Sequence, residues 1–234
     1  MPLFFDPTMV LLIPALLLSL YAQFKVKSTF NKFSSVPSKN RLTGVQVAEQ
    51  LLAASHIRDV KVEAVPGNLT DHYDPRDRTV RLSEAVYGET SLAAIGVAAH
   101  EVGHAVQHNI GYAPLNVRTG IFPVVSFGSK LAMPLLMIGI FLSAGAEGGG
   151  IGLMMLYAGI LLFSATVVFQ LVTLPVEFNA SSRALRLLQE QHILAESESD
   201  QAKKVLDAAA LTYVAAAIAS VLQLIRLLLI ARRR

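Results

Sequence analysis

The stretch IGLMMLYAGILLFSATVVFQLVTL, Ile151–Leu174, settles what kind of protein this is, because it contains no charged residue. About 20 consecutive apolar residues are enough for a helix to cross the hydrocarbon of a bilayer. Just before it lies the short glycine-rich loop Ala144–Gly150. Before that comes a second apolar run, Thr119–Ala146, with Lys130 near its start and Pro123 and Pro134 inside it. The two runs read as a transmembrane hairpin. Further out, Pro7–Phe24 is charge-free between Asp6 and Lys25, and the Ala-rich run Ala208–Ala231 carries Arg226, which is long enough to snorkel to an interface. The opening Met1–Asp6 is not basic and Tyr21–Phe24 offers no small-residue cleavage site, so the first run reads as an uncleaved anchor rather than a signal peptide.

Composition agrees with that class. Hydrophobic residues make up 53% of the 234 and charged ones 16%, with mean hydropathy +0.50. A water-facing globule carries roughly a quarter charged residues, so a purely cytosolic enzyme and a disordered chain are both excluded. There is no cysteine. That removes a disulfide framework, an iron–sulfur site and thiolate ligands, and leaves His, Asp and Glu for any metal. Lys and Arg number 20 against 17 acids, net +3. So small an excess on so apolar a chain fits basic residues beside a bilayer better than a nucleic-acid surface, and no nucleic-acid partner is expected.

Lys25, Lys27, Lys32, Lys39 and Arg41 follow the first run, Arg118 precedes the second, and Arg183, Arg186, Lys203 and Lys204 follow the third. All fall on one side, which the positive-inside rule makes cytoplasmic. Four complete crossings would put Arg232, Arg233 and Arg234 outside. Either the last segment is re-entrant or interfacial, or the rule fails locally. The resulting division is an anchor at 1–27, a cytoplasmic domain at 28–118, a hairpin at 119–174, a cytoplasmic helical segment at 175–206, and a membrane helix with a basic tail at 207–234.

Within the cytoplasmic part, Thr43 precedes a helical pattern from Val45 to Ala54. Asp59–Val65 alternates as a strand and Thr79–Leu82 reads as another, with turns at Pro66–Asn68 and Asp74–Asp77. Ser83 is placed to cap a short helix, and Thr90 to cap a longer one from Ser91 to about Asn109.

That longer helix contains Ala99-His100-Glu101-Val102-Gly103-His104, an H-E-x-x-H pattern. Residues four apart on a helix differ by about 6 Å of rise and roughly 40° of rotation, so both imidazoles leave one face and can reach one zinc ion. Glu101 lies about 100° round from His100, where its carboxylate can take a proton from a zinc-activated water as that water attacks a carbonyl. Only Thr90–His100 is charge-free before Glu101. That is too short for an intramembrane span, which argues against cleavage inside the bilayer. A metzincin would continue H-x-x-G-x-x-H, whereas this chain continues Ala105-Val106-Gln107-His108. His108 stands eight residues past His100, about 12 Å along a straight helix, which suits a supporting or surface role rather than a shared metal.

A third ligand must come from elsewhere. Glu147 falls in the hairpin loop on the opposite side, whereas Glu177 lies just past the third span. One reading makes Glu177 an acidic residue in the first turn of a helix. The other has the hairpin return the chain so that Glu177 completes a His2Glu set, since catalytic zinc usually keeps three protein ligands and a water; this reading is favoured. Asp71, His72 and Asp74 form a second polar group before the strand at Thr79. Asx-type turns account for the aspartates, and the alternative is that Asp71 and His72 border a groove where an extended peptide pairs with an edge strand.

Leu69-Thr70-Asp71-His72-Tyr73-Asp74-Pro75, Ala99–His108 and Pro175-Val176-Glu177-Phe178-Asn179-Ala180-Ser181 together resemble the YugP-type membrane zinc metallopeptidases of bacteria, over nearly the whole chain. That family is similar in layout to the HtpX-like membrane proteases, which set a membrane hairpin between H-E-x-x-H and a glutamate in E-F-x-A-D-x-x-A. The resemblance implies His100, His104 and Glu177 as ligands of Zn2+ and Glu101 as catalytic base. Ser181 departs from it, standing where those relatives have an aspartate that contacts a ligand histidine. The expectation is therefore a mainly α membrane protein with about four membrane-associated helices and a small α/β zincin-like cytoplasmic domain. It would sit in a bacterial plasma membrane and cleave polypeptides in or beside the bilayer. The rival is a metal-binding membrane scaffold or assembly factor without turnover. Gly128 and Gly139 permit close helix packing, within the chain or with an oligomeric or membrane-protein partner.

Overall fold

The computed structural model describes residues 7–143 and 149–233. The opening residues 1–6, the hairpin loop with Glu147, and Arg234 lie outside the described residues. A 3-10 turn, Pro7–Leu12, leads into α1 (Ile13–Ser34). Then come α2 (Gly44–Ala54), β1 (Lys61–Val65), β2 (His72–Asp74), β3 (Thr79–Ser83), α3 (Glu84–Tyr87) and α4 (Leu92–Asn109). Three long helices complete the chain: α5 (Ala113–Leu142), α6 (Gly149–Glu190) and α7 (Glu196–Arg232). The protein is mainly helical with a small α/β part, as its sequence predicts, and its three strands form a mixed sheet. Among the described residues, four helices are long and apolar enough to cross a membrane.

Two compact units divide the chain. The first comprises 1–21, 117–174 and 213–234, and the second 22–116 and 175–212. In the first, α5 and the early part of α6 approach closely. A Cβ added to Gly139 would lie 2.5 Å from the Leu156 backbone nitrogen, and one at Gly152 would lie 2.4 Å from that of Ser143. Gly139 is thus used for packing within the chain. Leu136, Leu156, Ile160, Leu227 and Ala231 form this unit's buried cluster.

In the second unit the core gathers around α4. Val47 and Leu51 from α2, Val80 and Leu82 from β3, Ile95 and Val102 from α4, Leu188 from α6 and Val205 from α7 are buried in it. The sheet order is β1-β3-β2. β1 pairs parallel with β3, Lys61 opposite Thr79, and β2 pairs antiparallel, His72 opposite Arg81. The central strand is the buried one, as expected for a strand with a neighbour on each side.

Local chemistry fixes most boundaries. Thr43 caps α2 in a reciprocal box, its Oγ1 accepting from the Gln46 N–H while Gln46 Oε1 accepts from the Thr43 N–H at 2.9 Å. Four expectations need correcting. Ser91, not Thr90, caps α4, accepting from the Ala94 N–H at 3.2 Å. Ser83 sits at the N-cap of α3, but its hydroxyl donates to Asp71 at 2.9 Å instead of capping. β1 begins two residues later than the alternation suggested. β2 is a strand where the sequence pattern offers none and places a turn from Asp74; three residues are too short to show a period, and their pairing is made by the backbone of β3.

Candidate metal centre

α4 carries His100, His104 and Gln107 on one face. His100 and His104 are one turn apart, with ring centroids 4.7 Å apart and planes at 87°. Gly103 between them lets α6 come close, since a Cβ there would lie 2.5 Å from the Ala180 carbonyl oxygen. That approach delivers Glu177, one turn earlier on α6. Its Oε2 is 3.2 Å from His100 Nε2 and 3.4 Å from His104 Nε2, and the three side chains are 3%, 14% and 12% exposed. Among the described residues, these three form the one group of His, Asp and Glu side chains whose ligand atoms converge closely, all within 4.8 Å of one another.

The separations test whether the set fits zinc. With bonds of about 2.0–2.1 Å to nitrogen and oxygen, the edge of a tetrahedron is roughly 3.4 Å. The observed 3.2 and 3.4 Å are such edges. The far ring nitrogens agree. Gln107 is fully buried; its amide NH2 donates to the Val176 carbonyl at 2.8 Å and to Asn179 Oδ1 at 3.0 Å. Its Oε1 must therefore be the atom facing His104 Nδ1 at 3.0 Å, which makes that nitrogen the donor and leaves Nε2 to face Glu177. Burial opposes a charge on His104, but the hydrogen bond and charge of Glu177 outweigh it and raise the imidazole pKa. The position between them attracts a cation. His100 Nδ1 contacts Ser181 Oγ at 3.1 Å, so an uncharged hydroxyl stands behind that ring.

Glu101 is 7% exposed. Burial pushes its carboxyl pKa up, opposed by the two imidazoles, and no group among the described residues hydrogen-bonds to it. His108 does not join the converging donors. Its Nδ1 lies 2.8 Å from the Tyr73 hydroxyl. Burial raises the Tyr73 pKa and lowers that of His108, which favours the neutral form of both partners. Asp71 accepts from the Ser83 N–H at 2.7 Å and from its hydroxyl, tying the chain before β2 to the end of β3. His72 is exposed on β2 with Nδ1 2.8 Å from the Thr70 carbonyl. Asp74 makes an Asx-type turn to the Arg76 N–H and a 2.7 Å ion pair with its guanidinium, which lowers the carboxyl pKa to about 2.

A family model described as "Putative neutral zinc metallopeptidase" matches residues 8–232. The chain belongs to that family. The "Putative membrane protease YugP" of Bacillus subtilis (strain 168) is similar to it, 52% identical over 220 residues that cover 94% of each chain. No solved structure gives a significant match. A zinc peptidase family implies zinc, and the His100, His104 and Glu177 donors suit that ion. Sequence reading missed Gln107, Asn179 and Gly103. A signal for the first existed: Gln107 stands three residues after His104 and seven after His100, on their face of the helix.

Proposed function

We propose that this protein is a zinc-dependent endopeptidase of the bacterial plasma membrane, with the residues of α4 and α6 forming its active centre on the cytoplasmic side. The observation that carries the reading is the pair of tetrahedral-edge distances from Glu177 to two histidines one turn apart. His100, His104 and Glu177 hold the ion, and Gln107 and Ser181 hold the rings. Zinc, when bound, brings the pKa of a water towards neutrality and polarises the scissile carbonyl. Glu101 takes the proton of the attacking water and delivers it to the leaving amine as the C–N bond breaks, so one water is consumed and a carboxylate and an amine are released. Beyond β2 no strand pairs among the described residues. An extended peptide laid along that edge would place its backbone beside Asp71 and His72. Polypeptides in or beside the bilayer are the substrates this location favours.

The test is zinc content and proteolysis measured together. Glu101→Gln should keep zinc at the wild-type level while cleavage falls roughly 10²–10⁴-fold. Glu177→Gln should surrender zinc to chelator concentrations that the wild type withstands, and lose cleavage with it. Cleavage surviving in the first variant, or undiminished zinc affinity in the second, overturns the reading. A wild type that holds zinc but cleaves nothing would favour a scaffold.

A further inference from the structure

Two of the lysines after the first apolar run, Lys25 and Lys32, line a cavity of their own, remote in sequence from the histidines. Lys25, Thr29 and Lys32 stand four and three residues apart on α1, hence on one face, and Lys204, Ala208 and Leu211 repeat that spacing on α7. They border a cavity of about 540 Å³, with Phe33 also in its wall. Its charge is one-sided. Asp207 lines it too, but the Asp207 carboxylate is held 2.6 Å from Lys203 Nζ. Among the described residues, Lys25, Lys32 and Lys204 pair with no carboxylate; Lys32 Nζ lies 5.5 Å from the centre of the Phe33 ring. Thr29 is 9% exposed, and its hydroxyl makes no hydrogen bond among the described residues. Three uncompensated cations and a spare hydroxyl border a space whose remaining wall is partly hydrocarbon.

Depth along the chain says what kind of anion belongs there. Lys25 directly follows the charge-free run Pro7–Phe24, and Lys204 stands four residues before Ala208, where the last apolar run begins. Lys32 is about 10 Å further along its helix. The polar layer on each side of a bilayer is roughly 5–8 Å thick, so Lys25 and Lys204 stand at the level of lipid phosphates, and Lys32 lies just past that layer, where a long, flexible side chain can reach back to it.

We propose that this cavity binds the headgroup of an anionic phospholipid. The three ammonium groups meet the phosphodiester, the Thr29 hydroxyl donates to it, and Leu211, on the bilayer side of Lys204, meets the glycerol and the first methylenes. A zwitterionic headgroup carries its own cation and gains less, and inorganic phosphate leaves the apolar wall unused. The inference is independent of the peptidase reading.

The full chain in neutral detergent, given equal amounts of phosphatidylglycerol and phosphatidylcholine, tests it by native mass spectrometry of the retained lipid. Phosphatidylglycerol should be retained over phosphatidylcholine by roughly tenfold or more. The triple variant Lys25→Gln/Lys32→Gln/Lys204→Gln should lose that preference. The matching Lys→Arg triple should keep it, as should Lys27→Gln/Lys61→Gln, which removes cations outside the cavity. Equal retention of the two lipids by the wild type, or a preference surviving in the Gln triple, overturns the proposal. So does displacement of phosphatidylglycerol by millimolar inorganic phosphate, which would make the ligand a free anion.

Discussion

The hydrogen bonds behind the two histidines make opposite predictions for two residues. Gln107→Ala removes the acceptor at His104 Nδ1 and the bridge to Val176 and Asn179. Zinc affinity should fall by about 10–100-fold in a chelator competition, the usual cost of losing such a partner. Ser181→Asp puts a carboxylate where an uncharged hydroxyl now meets His100 Nδ1, and a charge-assisted bond should tighten zinc. If the Gln107 variant bound zinc like the wild type, the orientation of His104 would depend on something other than that amide. At this scale the sequence was informative where spacing carries the geometry. His100 and His104 are legible because a helix has a fixed pitch. Gln107 was harder to read, because a buried amide resembles any surface glutamine until its partners on α6 are in place.

Between elements, contact depends on a missing side chain. Gly103→Ala would drive a methyl into the Ala180 carbonyl and must push α4 and α6 apart. A destabilisation of about 1–3 kcal/mol is expected from overpacking, together with weaker zinc binding, because the histidines and Glu177 sit on opposite sides of that contact. Gly96→Ala on the same helix meets nothing nearer than Ala202, its methyl at 3.6 Å and its carbonyl oxygen at 3.7 Å, which are ordinary van der Waals contacts. It should leave the melting temperature unchanged or raised, through helix propensity. Melting curves of the two variants in detergent check both; equal effects would remove the argument. The elements easiest to read carried local signatures, such as the Thr43–Gln46 box of α2 and the alternation of β1. β2 has none, for Tyr73 and its neighbours are a strand only because β3 lies beside them. The parallel pairing of β1 with β3 is likewise set by the core and not by either segment.

For the molecule as a whole, charge-free length made the four long helices legible. Where they end was not, because a helix continues past the last apolar residue while good helix formers follow. α1 runs ten residues beyond Phe24, and α6 continues past Leu174 to Glu190. α7 is unbroken from Glu196 to Arg232, about 55 Å at 1.5 Å per residue. Without a turn in it, re-entry has no place to happen, which favours a full crossing despite the terminal arginines. Because the chain has no cysteine, single cysteines at Lys61 and Arg233 can report this with a membrane-impermeant maleimide. The first should be shielded in intact cells and the second labelled; shielding of both would mean that α7 does not complete its crossing. The order of these helices along the chain has a practical result. Any continuous piece containing His100, His104 and Glu177 must also contain α5 and the apolar part of α6. No truncation can excise a water-soluble fragment with the trio intact, and no nick can shed one into the medium. Whatever chemistry the trio performs is confined to places where lipid or detergent is present.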